Sequence, residues 1–145
     1  MRRILVATDF SKASRKAFAM AVKMAKANRA RLTIVHAFAP LLPLAPDQYV
    51  GPETWEQIDV RERQWARRQL EALVRKAKKS GVRAVGVTIE GNPSEQIIRS
   101  ARRNHADLLV IGTHGRTGLA RLFLGSVANR IVATAPCPVL TVRGT

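Results

Sequence analysis

Gly112, Gly115 and the pair Gly125-Ser126 follow one another with the spacing G-x2-G-x9-G-S, directly after the apolar run DLLVI at 107–111. Glycines in such a position let backbone N–H groups approach an anion closely, because no Cβ intervenes and positive φ is open. A helix starting at Ser126 would add unpaired amide donors and the positive end of its dipole. The chemistry on offer is phosphate binding by main chain alone, with no lysine. Two familiar glycine loops are excluded. A Walker A loop needs Gly-Lys-Ser/Thr, and a dinucleotide fingerprint needs G-x-G-x-x-G after the first strand, where this chain has Asp9-Phe10-Ser11.

Asp9, at the end of the first apolar run, is the second candidate. It could serve a ligand, cap the helix that follows, or close an Asx-turn, and spacing leaves these open. Arg116 and Arg121 could neutralise phosphate charge or simply be exposed, and His114 could touch phosphate or stabilise its turn. His36 on an apolar strand and His105 near a helix end read as structural. Cys137, between two prolines, has no histidine or base paired with it in sequence and reads as buried and inert. Trp55 and Trp65 fall on a long helical stretch and read as packing residues.

These groups need strand ends to carry them. Residues 3–8 (RILVAT), 31–38, 82–89, 107–111 and 139–143 read as five short apolar strands. Between them, 11–28 and 54–79 carry apolar residues at helical spacing, with Ala66, Leu70, Leu73 and Ala77 as the buried stripe of the second. Asn92-Pro93-Ser94-Glu95 is a helix start with a capping box, and 126–135 reads as a short last helix. Prolines at 40, 43, 46 and 52 make 40–52 a loop. Four strand–helix alternations ending in a strand imply a parallel sheet with helices on both faces, and a ligand crevice where its winding reverses.

The 145 residues fit one domain, 1–145, with 46% hydrophobic residues, enough for a core. No apolar run approaches the roughly 18 residues of a membrane span. The start, MRRILVATDF, makes a poor signal peptide, and one cysteine fits a reducing cytoplasm. Net charge is +15. It suggests an anionic partner, although charged helix faces are commonly just solvated. Nucleic acid is one such partner, without interleaved aromatics or a known motif to support it.

The whole chain resembles the universal stress proteins, in their ATP-binding subgroup. The likeness rests on ILVATDFS at the start, IVHAF in the second strand, APCPVLTVR at the end and, most specifically, Gly112-x2-Gly115-x9-Gly125-Ser126. It implies a three-layer α/β/α sandwich with a five-stranded parallel sheet of Rossmann-like type, strand order 3-2-1-4-5. It further implies ATP, with Mg2+ or Mn2+ bound through the phosphates, between strands one and four. Asp9 would meet the ribose or the metal-linked region, with Ala7 and Thr8 beside it. Ala37 would line the adenine pocket through its backbone, and Ile111 and Gly112 would border the ribose. Gly115, Gly125, Ser126 and Val127 would wrap the phosphates, with Arg116 alongside. Ala7 stands where many members have proline. A homodimer through the last strand is also implied. The expected function is a regulatory nucleotide-binding module; a slow ATPase or self-phosphorylating enzyme, and a nucleic-acid-binding surface, are the alternatives.

Overall fold

Successive apolar side chains of β1 (Arg3–Ala7) and β4 (Leu108–Gly112) point to opposite sides of the sheet, and both sides are covered. Ile4, Val6, Leu108 and Val110 pack beneath α1 (Lys12–Asn28) and α2 (Pro52–Lys79). Leu5, Ala7, Leu109 and Ile111 pack against α3 (Pro93–Arg103) and α4 (Ser126–Thr134). A strand buried on both faces has no use for polar alternation, which is why both runs are continuously apolar. With β2 (Arg31–Phe38), β3 (Arg83–Glu90) and β5 (Val139–Val142), these strands form one sheet in the order β3-β2-β1-β4-β5. Every pairing is parallel. The expected three-layer Rossmann-like sandwich is thus the observed one.

The computed structural model describes residues 1–40, 51–114 and 124–144. Most of the proline-rich stretch, together with Gly115, Arg116 and Arg121, lies outside the described residues.

Local chemistry accounts for where the helices begin. Ser11 caps α1, its hydroxyl oxygen accepting the Ser14 N–H at 3.3 Å. Asn92 caps α3 by accepting from the Glu95 N–H at 3.2 Å and the Ser94 hydroxyl at 2.8 Å. The second half of the expected capping box is absent from the described bonds, since Glu95 instead accepts from Arg130 of α4 at 3.0 Å. Helix α2 starts at Pro52, two residues before the expected 54. A proline costs nothing at the first helical position, where its missing N–H would have had no partner.

The chain winds from β1 outward to β3, then crosses back over β1 to β4. The reversal lies between β1 and β4, so a crevice opens at their carboxyl ends.

Candidate functional site

The turn after β1 is built under strain. Phe10 is buried with its backbone in the left-handed region, φ 64, which costs a non-glycine residue about 1–2 kcal/mol. Its ring is held 4.6 Å from His36 and 5.3 Å from Trp65, centroid to centroid, and this packing offsets the strain. Thr8 is locked from three directions. Its N–H donates to the Val35 carbonyl at 2.9 Å, its hydroxyl lies 3.1 Å from that of Ser14, and its carbonyl lies 2.9 Å from His36 Nδ1. Asp9 closes an Asx-turn, Oδ1 accepting the Ser11 N–H at 2.9 Å, and does not cap the helix. Its second oxygen has no partner among the described residues.

Beside β1, the neighbouring strand contributes main chain. The Val35 carbonyl bonds to β1 and the Phe38 carbonyl to the Gly91 N–H beyond β3. Backbone polarity alternates along a strand, so the Ala37 N–H and C=O face the β1 side, past the point where β1 has ended.

The third wall is the end of β4. Gly112 has the conformation of an ordinary residue; what it lacks is room. An added Cβ would sit 2.8 Å from the Ala13 carbonyl carbon and 2.9 Å from the Ser14 nitrogen, so glycine lets α1 press on β4. The chain returns at Gly125, whose N–H donates to the Thr113 carbonyl at 2.8 Å, pinning the base of the glycine loop. Gly125 has φ −60 and ψ 160, open to any residue, so positive φ is not the reason for glycine at either position.

Helix α4 starts there without a side-chain cap or an acidic residue in its first turn. Its first internal bond runs from the Asn129 N–H to the Gly125 carbonyl at 2.9 Å. The amides of Ser126, Val127 and Ala128 therefore have no partner among the described residues, and they begin a helix whose dipole is positive at this end. His114 Nδ1 lies 2.9 Å from the Thr113 hydroxyl, while its buried Nε2 has no partner among the described residues.

Nine of the expected residues line one cleft of about 270 Å³: Ala7, Thr8, Asp9, Ala37, Ile111, Gly112, Gly125, Ser126 and Val127. Gly115 and Arg116 lie outside the described residues.

The profile of the universal stress protein family matches residues 1–143. This chain belongs to the universal stress protein family. A universal stress protein of Thermus aquaticus is 39% identical over 151 aligned residues, covering 98% of both sequences. The universal stress protein of Lactobacillus plantarum superposes with a TM-score of 0.85 at 24% identity, over 98% of this chain and 97% of that one. A universal stress protein solved in complex with cAMP superposes at 0.74 and 25% identity, over 99% and 98%.

Within this universal stress protein cleft, sequence reading missed Ser14, Pro93, Ile97, Ala128 and Ile131. Ser14 was foreshadowed by its spacing from the Ser11 cap, which turns it inward under Thr8. Pro93 and Ile97 belong to a helix correctly placed, but no local pattern says that α3 leans over the β2 end. Cys137 is half-buried among apolar neighbours, and burial, then the charge of Asp107, pushes its thiol up. Trp65 packs edge-on against Phe10, as a packing residue would.

Proposed function

We propose that this universal stress protein is a regulatory module that binds an adenine nucleotide, ATP with Mg2+ or Mn2+, in the cleft between β1 and β4. The observation that carries the reading is the uncapped start of α4, whose free amides open onto that cleft. Phosphates bind such a helix start through N–H donors and dipole together. The amides of Ser126, Val127 and Ala128 hold the phosphate chain, Gly125 leaves room for its close approach, and Gly115 and Arg116 of the motif complete the set. The main chain of Ala37 meets the edge of the base, and Asp9 meets the ribose or the polar region next to the metal. Ala7, Thr8, Ile111 and Gly112 form the floor. The relative bound to cAMP supports an adenine nucleotide as the ligand class.

Bound ATP would supply phosphate oxygens to a divalent ion. Among the described residues no group of three or more His, Cys, Asp or Glu could hold a metal, and Asp9 is the one carboxylate on the cleft. Asp9 is then the described residue that could help hold such an ion, which would otherwise be carried by the phosphates. The same scarcity argues for regulation over catalysis, because phosphoryl transfer needs a positioned base and charge stabilisation at the γ-phosphate. Calorimetry tests binding: one ATP per chain is expected, with adenosine far weaker, and equal affinity for the two would overturn the reading. Phosphate release at saturating ATP is expected below about 0.01 per second, against ~1–100 for kinases. Faster metal-dependent release would make it an enzyme.

The working compartment we propose is the cytoplasm, with the chain as a single domain; no described helix is long and apolar enough to cross a membrane. The partner we propose is a second copy through β5, an edge strand with half-buried Val139, Leu140 and Val142. Light scattering at micromolar concentration should give the mass of a dimer; a monomer would remove this assignment.

A further inference from the structure

In a parallel sheet with helical crossovers, every strand starts and every preceding helix ends at the same end of the molecule. In this chain that end, opposite the nucleotide cleft, collects cations. Arg2 and Arg3 lead β1, Arg31 starts β2, Arg83 starts β3, and Arg29 closes α1. The last turns of α1, α2 and α3 contribute one, three and two more basic residues. All are exposed. Among the described residues Asp107 is the one carboxylate at this end. Its Oδ2 accepts the backbone N–H groups of Arg2 at 2.7 Å and Arg3 at 2.9 Å, bonds that hold its carboxyl below the usual range. The ion pairs of the described residues lie elsewhere, on Arg63, Arg67 and Arg130.

Helix dipoles account for basic residues in last turns. They do not account for the strand starts. Arg3 is the register partner of Arg31, and Arg31 of Arg83. Three arginines therefore stand side by side on one face of the sheet, their backbones about 4.8 Å apart from strand to strand. Like charges directly opposite on neighbouring strands destabilise a sheet. Arg31 and Arg83 also share a shallow groove with Lys78 at the sheet edge. Asp107 offsets part of the charge of Arg3, but among the described residues no ion pair forms on Arg3, Arg31 or Arg83, and the remaining positive charge of the row favours an anion from outside.

We infer that this end is a docking surface for the phosphate backbone of double-stranded nucleic acid, centred on Arg3, Arg31 and Arg83. Guanidinium groups match phosphate oxygens with paired hydrogen bonds. A line of them across three strands suits a run of regularly spaced phosphates. Single strands are gripped by aromatic stacking, and membrane-surface helices carry a broad apolar face. The described aromatics are elsewhere: Phe10, His36, Phe38 and Trp65 cluster at the carboxyl ends of β1 and β2, Phe18 is buried, and Trp55 lies in the first turn of α2.

The test is fluorescence anisotropy with a labelled mixed-sequence DNA duplex across a salt series. The triple variant Arg3→Gln, Arg31→Gln, Arg83→Gln is compared with Arg15→Gln, Lys16→Gln, Lys23→Gln on the outer face of α1, which removes the same charge. The row variant should bind at least about tenfold more weakly, with the log–log salt slope shallower by about 0.9 for each phosphate no longer neutralised, roughly 2–3 in all. The α1 variant should stay within about threefold of wild type, since Arg15, Lys16 and Lys23 lie off the row. Equal losses in both variants, or no loss in the row variant, would overturn the assignment. So would wild-type binding to phosphatidylserine vesicles without binding to the duplex. Arg83→Gln alone, exposed at the start of an edge strand, should still flatten the slope by about 1. That keeps the test decisive if the triple variant folds poorly.

Discussion

Replacing Gly125 with aspartate should stabilise the protein and abolish its nucleotide binding. The backbone at Gly125 already has the extended conformation of a helix cap, φ −60 and ψ 160, and the three amides after it lack a partner among the described residues. An aspartate there would accept from those amides and put negative charge at the positive end of α4. The gain should be about 0.5–1 kcal/mol, a rise in Tm of about 1–4 °C for a domain of this size. The same carboxylate would occupy the phosphate position and repel any phosphate approaching it. ATP affinity should fall by at least about 100-fold, some 2.7 kcal/mol. Gly125→Asn separates the two causes, since it competes for the amides without the charge, and its loss should be smaller. Calorimetry and thermal melts on the pair decide the matter. A Gly125→Asp variant that keeps wild-type ATP affinity would mean that the start of α4 is not where phosphate goes.

Gly112→Val should have the largest effect on folding. A Cβ at position 112 would meet the Ala13 carbonyl carbon at 2.8 Å and the Ser14 nitrogen at 2.9 Å, and backbone cannot swing aside as a side chain can. Helix α1 would have to lift from β4, and Ser14 with it, loosening its contact with the Thr8 hydroxyl. Overpacking of this kind costs about 1–3 kcal/mol, and a branched residue against main chain belongs at the upper end. Urea denaturation should report that loss with an unchanged m-value, and Tm should fall by about 5–10 °C. Gly112→Ala should show a smaller loss of the same sign. Wild-type stability in both variants would mean that close packing is not what the position requires.

The two glycines show how far the motif could be read. Its spacing pointed to a main-chain cradle after the fourth strand, and the structure brings Gly112 and Gly125 to one cleft with Asp9 and Ala37. The reason for glycine was misjudged, because room at Gly112 depends on α1, a helix about a hundred residues away in sequence. The sheet was legible because continuous apolar runs such as ILVA and LLVI tolerate few alternatives, and Asn92-Pro93 announces its helix by cap chemistry. Thr8, Phe10 and His36 were less transparent. The left-handed turn at Phe10 is held partly by local bonds, from the Phe10 N–H to the Thr8 hydroxyl and the Ser11 N–H to Asp9, and partly by two rings from other elements that no local pattern announces. Nor could a linear pattern align Arg3 with Arg31 and Arg83, since register follows from how whole strands pack.

The central assignment is that the amides of Ser126, Val127 and Ala128 grip the phosphates of an adenine nucleotide. Amide NMR on uniformly labelled protein, titrated in parallel with ATP and with adenosine, observes those groups directly. With ATP these three resonances should move furthest and saturate together with the Ala37 amide. With adenosine the Ala37 amide should move while the α4 amides stay in place. Saturable ATP binding that leaves Ser126, Val127 and Ala128 unshifted would contradict the account.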